Sequence, residues 1–388
     1  MPSVAVSLPP VAHRFKAPAG LPPLEVSPQF LSDPALVPVA EKLRQGIRLE
    51  REDGLSLMQS RDLVGLGYLA HAARLAKNGR AAYYVVNRHL NYSNICVNSC
   101  AFCAFRRRAG QEGAYRLTPR QAAEQVCQPV GLRVDELHIV GSCHPELKLD
   151  YYLELLRELG RARPGAALKA FTPVEIDHMA RLSGLEAGEV LDRLIAAGLK
   201  AMPGGGAEVF SPRVRAKLCP DKTSGERWLE IAGLAHQRGI PTNATMLYGH
   251  IETPAERVDH LLALREQQDK TGGFNAFIPL AYHPKNTDLG GEGPTTALDD
   301  LRVMATSRLI LDNFPHIKAY WVMLGTKLAQ VALSFGADDL DGTIVEERIT
   351  HEAGATTATG LTESELVHHI RAAGFQPVRR DAFYRPVE

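Results

Sequence analysis

From about residue 81 onward, short β-branched or aromatic runs alternate with amphipathic stretches that carry helix-start signals. The runs Tyr83 to Leu90, Glu136 to Val140, Leu168 to Phe171, Leu199 to Met202, Thr242 to Tyr248, Ala276 to Tyr282 and Ile317 to Val322 predict strands, and an eighth is expected near Thr343. Between them, Thr118 with Pro119 and Gln121, Thr223 with Glu226, and Thr253 with Pro254 and Glu256 read as capping boxes. In such a box a hydroxyl and an acid or amide satisfy the first free N–H groups of a helix. Gly160, Gly198 and Gly239 stand where helices should end.

Repeated strand and helix alternation predicts a parallel sheet covered by helices. Seven or eight such units over roughly 270 residues suit an α/β fold of the (β/α)8 TIM-type barrel class better than an open doubly wound sheet; a six-unit incomplete barrel is the alternative. The expected organisation is a loose arm over 1–31, a helical extension over 32–80 packed beneath the barrel, the barrel over 81–350, and a C-terminal helix and tail over 351–388. Leu63, Leu66, Leu69, Ala70 and Ala73 share one helical face in the extension. Thr362 with Glu365 caps the last helix, which runs to Gly374.

Composition narrows the class. A chain of 388 residues, 45% hydrophobic, can bury a large core. Its 44 Lys and Arg balance 44 Asp and Glu, which removes the general electrostatic basis for binding nucleic acid or an anionic membrane. No run approaches the roughly 20 apolar residues that span a bilayer. The proline-broken start lacks the apolar core of a secretory signal, so a cytoplasmic protein with a small-molecule substrate is expected. The run from Arg265 to Lys270 reads as a solvated helix face.

Of six cysteines, three lie within eight residues, in Asn91-Tyr-Ser-Asn-Ile-Cys96-Val-Asn-Ser-Cys100-Ala-Phe-Cys103-Ala-Phe105. This run follows a predicted strand, which places three thiolates on a loop at the C-terminal mouth of a barrel, where barrel active sites lie. Soft ligands spaced by four and three residues suit a cuboidal iron and sulfur cluster, each thiolate reaching a different iron and one iron left open. The alternatives are a structural zinc site completed by His89, or a passive ferredoxin-like cluster, for which the loop lacks a fourth cysteine. Cys127, inside a predicted helix, reads as a small buried thiol.

Cys-x3-Cys-x2-Cys with Phe102 before the last cysteine resembles the signature of the radical S-adenosylmethionine (SAM) superfamily. The resemblance implies that Cys96, Cys100 and Cys103 hold a [4Fe-4S] cluster, that its free iron binds SAM, and that an electron from an external donor such as flavodoxin or ferredoxin yields a 5′-deoxyadenosyl radical. Four further strings resemble the menaquinone and deazaflavin branch: Glu136-Leu-His-Ile-Val-Gly-Ser-Cys-His-Pro145, Gly204-Gly-Gly-Ala-Glu-Val-Phe210, Thr242-Asn-Ala-Thr-Met-Leu-Tyr-Gly-His-Ile-Glu252 and Ala276-Phe-Ile-Pro-Leu-Ala-Tyr-His-Pro284. With Pro220-Asp-Lys before Ser224-Gly-Glu-Arg-Trp228, the chain is most similar to the aminofutalosine synthase family. That implies addition of the adenosyl unit to 3-[(1-carboxyvinyl)oxy]benzoate. Cyclic dehypoxanthine futalosine synthase and the tyrosine-coupling component of deazaflavin synthase are the rivals inside the branch; a non-catalytic iron–sulfur or zinc protein is the rival outside it.

The resemblance places Gly141 and Ser142, at the end of the second strand, against the amino group of SAM through backbone carbonyls, with Ser142 where relatives more often have glycine. Cys143 then reads as a pocket-lining thiol. Gly204, Gly205 and Gly206 allow backbone to approach a ligand, and Glu208 suits vicinal ribose hydroxyls. Arg213 and Arg215, side by side on extended chain, suit a carboxylate of substrate or SAM. Gly249 and Glu252 match the region that contacts adenine and ribose, although Glu252 also suits a helix start. His283 is a candidate for carboxylate binding or proton transfer.

Overall fold

In the computed structural model, which describes Phe15 and residues 20–128, 133–291, 293 and 295–387, the strands form one parallel ring. The expected first strand is cut at Val86 into β1 (Ala81–Val85) and β2 (Asn87–Leu90). β2 pairs with β3 (Glu136–Ile139), and β3 with β4 (Ala167–Ala170). The strand expected at 199–202 contributes only single bridges, Lys169 with Ala201 and Met202 with Thr242. Pro203 follows at once and has no N–H to extend the ladder.

The ring continues through β5 (Thr242–Tyr248), β6 (Phe274–Ala281) and β7 (His316–Ile317). Lys318 bridges to Asp339 of β8 (Asp339–Gly342), which pairs with β1, while Val345 bridges to Arg88. Counting β1 with β2 as one position and 201–202 as the fourth, the ring closes as a (β/α)8 barrel, not six units. β9 (Gln376–Arg379) adds a parallel partner to β1 on its other edge. The break at Val86 lets one stretch of chain pair first with β9 and then with β3.

Several local expectations are corrected. The run to Val322 turns into a helix at Trp321, whereas the eighth strand does lie near Thr343, as β8 ending at Gly342. Thr118, Thr253 and Thr362 form their capping boxes, but the helix Gly225–Gln237 is capped by Ser224, while the Thr223 hydroxyl donates to Asp177 at 2.8 Å. Gly160 lies inside the helix Leu149–Ala162; Gly198 and Gly239 do follow helix ends.

The helices Arg51–Gln59 and Leu63–Asn78 lie alongside Pro254–Thr271 and Ala297–Ile310 in the outer layer rather than beneath the barrel. This covering explains why the run from Arg265 is not simply solvated: Arg265 donates to the carbonyls of Leu49 and Ile310, and Gln268 is fully buried. Most of the arm expected over 1–31 falls outside the described residues; within 20–31, Leu24 and Val26 are buried. No described helix is long and apolar enough to cross a membrane.

Inside the ring, below its mouth, lies a layer of paired charge drawn from opposite walls. Glu136 meets Lys169 at 3.3 Å, Asp341 meets Lys318 at 3.2 Å, and Arg380 meets Asp339 at 2.7 Å. All six side chains are buried, so each charge depends on its partner.

Candidate active site

At the C-terminal ends of the strands a cavity of about 310 Å³ opens, and Cys96, Cys100 and Cys103 line it together. Their loop is fastened on several sides. The Cys96 N–H donates to Arg107, Val97 N–H to the Cys143 carbonyl, and Ala101 N–H to Leu218, while Arg108 donates to the carbonyls of Cys96 and Val97. Ser142 adds a clamp that its sequence position does not reveal: its hydroxyl donates to the Ile95 carbonyl at 2.6 Å.

The sulfurs sit among donors suited to thiolates. The Asn98 N–H points at Cys96 Sγ, and those of Arg106 and Phe105 at Cys103 Sγ. Hydrogen bonds of this kind stabilise cluster sulfurs and tune potential. A thiol hydrogen bond from Cys143 holds Cys96 down to about 6, whereas burial pushes Cys100 up to about 12 and raises Cys103. Among the described residues no three His, Cys, Asp or Glu side chains converge as ligands of a single ion. Three thiols around one cavity, two of them facing backbone donors, fit a cuboidal cluster and not a mononuclear zinc site.

Lys222 was not singled out by sequence, though it lies in the Pro220-Asp-Lys string. It lines the cavity, pairs with Glu208 at 2.5 Å and stands 5.2 Å from the Phe102 ring centroid. Burial opposes its charge, but Glu208 and the thiols of Cys100 and Cys219 outweigh that and keep it an ammonium. Glu208, with φ +49°, lines the cavity and is held in place by this cation through one carboxylate oxygen.

Glycines meet close neighbours. A Cβ on Gly141 would lie 2.4 Å from the Tyr92 ring, whose hydroxyl donates to Glu175 at 2.6 Å. Glu175 also accepts from the Gly141 and Thr172 N–H groups, a buried support that sequence reasoning missed although Thr172 with Glu175 is a capping box. A Cβ on Gly204 would strike the β5 backbone, 2.6 Å from the Asn243 carbonyl oxygen, so strand packing already requires this glycine. Gly204, Gly205 and Gly206 all line the cavity.

The other candidates separate. His283 lines the cavity, with Nε2 3.1 Å from the Met323 carbonyl. Arg213 and Arg215 do not lie on extended chain; both sit in the helix Pro212–Leu218 and point apart. Arg213 is half exposed and holds Glu256 at 2.5 Å outside the cavity. Arg215 is buried and spends its donors on the carbonyls of Ala207 and Thr223. Gly249 and Glu252 do not line the cavity either: Glu252 accepts from the Gly249 and His250 N–H groups and pairs with Arg257 at 2.8 Å, which leaves it little to offer a ligand. Cys127 is part-buried, with Sγ 3.7 Å from the Ala162 carbonyl, away from the cavity.

Residues 90–264 match the Radical SAM superfamily, and residues 271–388 the CofH/MqnC C-terminal region. The chain is 50% identical over 361 residues to an aminodeoxyfutalosine synthase of Thermus thermophilus, covering 92% of this chain and 97% of that one. It is 44% identical over 324 residues to a 5-amino-6-(D-ribitylamino)uracil--L-tyrosine 4-hydroxyphenyl transferase of Methanopyrus kandleri, covering 82% and 88%. Crystalline methylornithine synthase (PylB) shares the fold with a TM-score of 0.69 at 18% identity, over 87% of this chain and 97% of that one. With three cysteines gathered at the mouth of a closed barrel and full-length relatives at this identity, the chain belongs to the radical SAM superfamily, whose enzymes use a [4Fe-4S] cluster and SAM, and within it to the aminofutalosine synthase family.

Proposed function

We propose that this enzyme joins the 5′-deoxyadenosyl unit of SAM to 3-[(1-carboxyvinyl)oxy]benzoate, forming a carbon–carbon bond and, with loss of a carboxylate, 6-amino-6-deoxyfutalosine for menaquinone biosynthesis. The observation that carries this reading is the 50% identity to a relative of that name across 97% of its length. The 44% identity to the tyrosine transferase favours a second reading, in which the 4-hydroxyphenyl group of tyrosine is transferred to 5-amino-6-(D-ribitylamino)uracil.

When bound, the cluster and SAM supply one-electron cleavage of a carbon–sulfur bond, fed by an external donor such as flavodoxin or ferredoxin. This chain's residues do the rest. Cys96, Cys100 and Cys103 hold the cluster, and Ser142 and Asn98 fix the loop and the Cys143 thiol beside it. Val140, Leu247, Ile278 and Leu280 give the cavity apolar walls that exclude water from reactive species. His283, oriented by the Met323 carbonyl, stands where it can take or return a proton.

The test is reduced, reconstituted enzyme given adenine-labelled SAM and the vinyl ether benzoate. The label is expected in the coupled nucleoside. Release of most label as 5′-deoxyadenosine, or coupling only when tyrosine and the diaminouracil are supplied, refutes this reading.

A further inference from the structure

Partnerless polar groups mark the floor of the cavity, on the strands themselves and away from the cysteine loop. His89 and His138 are register neighbours on β2 and β3, and their rings stack with centroids 4.4 Å apart and 14° between planes. Neither ring has a hydrogen-bond partner within 3.5 Å among the described residues; Glu136 Oε1 lies 3.9 Å from His138 Nδ1 and Asp341 also acts on His89. Asn243 is 2% exposed, and its Nδ2 has no acceptor. All three residues line the cavity.

A buried donor without an acceptor is a standing cost to a fold, and it is retained where something else supplies the acceptor. The charges around the floor are paired, Glu136 through Oε2 with Lys169 and Asp341 with Lys318. What remains beside the acceptors Glu136 Oε1 and Asn91 Oδ1 is a set of N–H donors on His89, His138 and Asn243. Burial, and then the neighbouring His138, hold the His89 imidazole well below its ordinary value and so favour its neutral form. A neutral imidazole and a carboxamide offer hydrogen bonds without repelling an apolar ring. Ile278 and Val140 supply the apolar surface that a flat ring needs.

We propose that His89, His138 and Asn243 form the anchor for a carboxylate on the aromatic end of the acceptor, the end remote from the cluster. This rests on the dicarboxylate reading above. It relocates the anion site expected at Arg213 and Arg215, whose donors are committed elsewhere.

The experiment uses reconstituted holoenzyme with SAM and, as probe, isophthalate, titrated calorimetrically beside isophthalamide. The parent is expected to bind isophthalate at least about tenfold more tightly than the diamide, since converging N–H donors favour the charged acceptor. His89→Leu, His138→Leu and Asn243→Leu should each weaken isophthalate by about tenfold while iron content and SAM affinity stay at parental values. His138→Asn, which keeps an N–H, should recover part of the loss. If the folded variants bind isophthalate within twofold of the parent, the anchor is wrong and the acceptor reading stands. If the parent binds diamide and isophthalate alike, the anchor is again wrong, without recourse to any variant. If the parent binds neither, the anchor and the dicarboxylate acceptor fall together.

Discussion

Cys96 and Cys100 stand four residues apart and yet in opposite environments, one relieved of its proton by Cys143 and backbone donors, the other holding its proton by burial. Metal binding requires all three sulfurs as thiolates, so assembling the cluster has to overcome the burial of Cys100. Replacing any one of Cys96, Cys100 or Cys103 by Ala is expected to lower iron content and abolish turnover, while Cys127→Ala, whose sulfur faces a carbonyl outside the cavity, leaves both at parental levels. Iron analysis beside product assay checks the contrast; equal iron loss in the Cys127 variant contradicts the ligand assignment. The three cysteines were legible in sequence because a loop ligand set is local. Arg213 and Arg215 were not: their roles depend on whether residues 211–218 are extended or helical, and Pro212 with Ser211 as N-cap settled that in favour of a helix. His89, His138 and Asn243 left a fainter signal, since their strands carry other polar residues as well, and only closure of the ring puts them around one cavity.

At the scale of elements, the turn from Gly249 to Glu252 joins β5 to the helix Pro254–Thr271 through one buried carboxylate. Burial opposes ionisation of Glu252, but His250, Arg257 and the Gly249 N–H outweigh it and hold the group down to about 2, against an ordinary 4.5. Because the folded value lies below the unfolded one, this contribution is present in full above about pH 4.5 and is lost as pH falls toward 2. It amounts to roughly 3 kcal/mol at most. Glu252→Gln should therefore be less stable than the parent at pH 7, with the gap closing between pH 4.5 and 2; denaturant unfolding at several pH values measures it, and a gap independent of pH refutes the linkage. The hydrophobic pattern gave strand positions well and partners poorly. Apolar residues run from Ala81 to Val86, whose carbonyl accepts from both Asp135 and Glu136, and the polar Asn87, Arg88 and His89 follow, but a change of composition does not say that the neighbours are exchanged there. At 199–202 the pattern was right about direction, while Pro203 limited the ladder to bridges.

For the whole molecule, the C-terminal segment is part of the barrel's closure. Arg380, just past β9, is fully buried, donates from its backbone to Tyr84 and from Nε to Asp339, and lies over the Tyr384 ring, which in turn stacks on His316. Arg380→Ala leaves Asp339 charged and buried, a change that typically costs about 3 to 5 kcal/mol. Arg380→Met combined with Asp339→Leu should recover much of that loss, and unfolding of the single and double variants decides it; a double variant as unstable as the single one means that the pair is not what binds the tail to the ring.

The cavity has a loop at one end and strand side chains at the other, and these two parts of the chain can change independently. Substitutions at inward-facing strand positions can therefore change what fits the far end of the cavity without touching the thiolate loop, and a synthase and a transferase, by name, stand at 50% and 44% identity to this one chain.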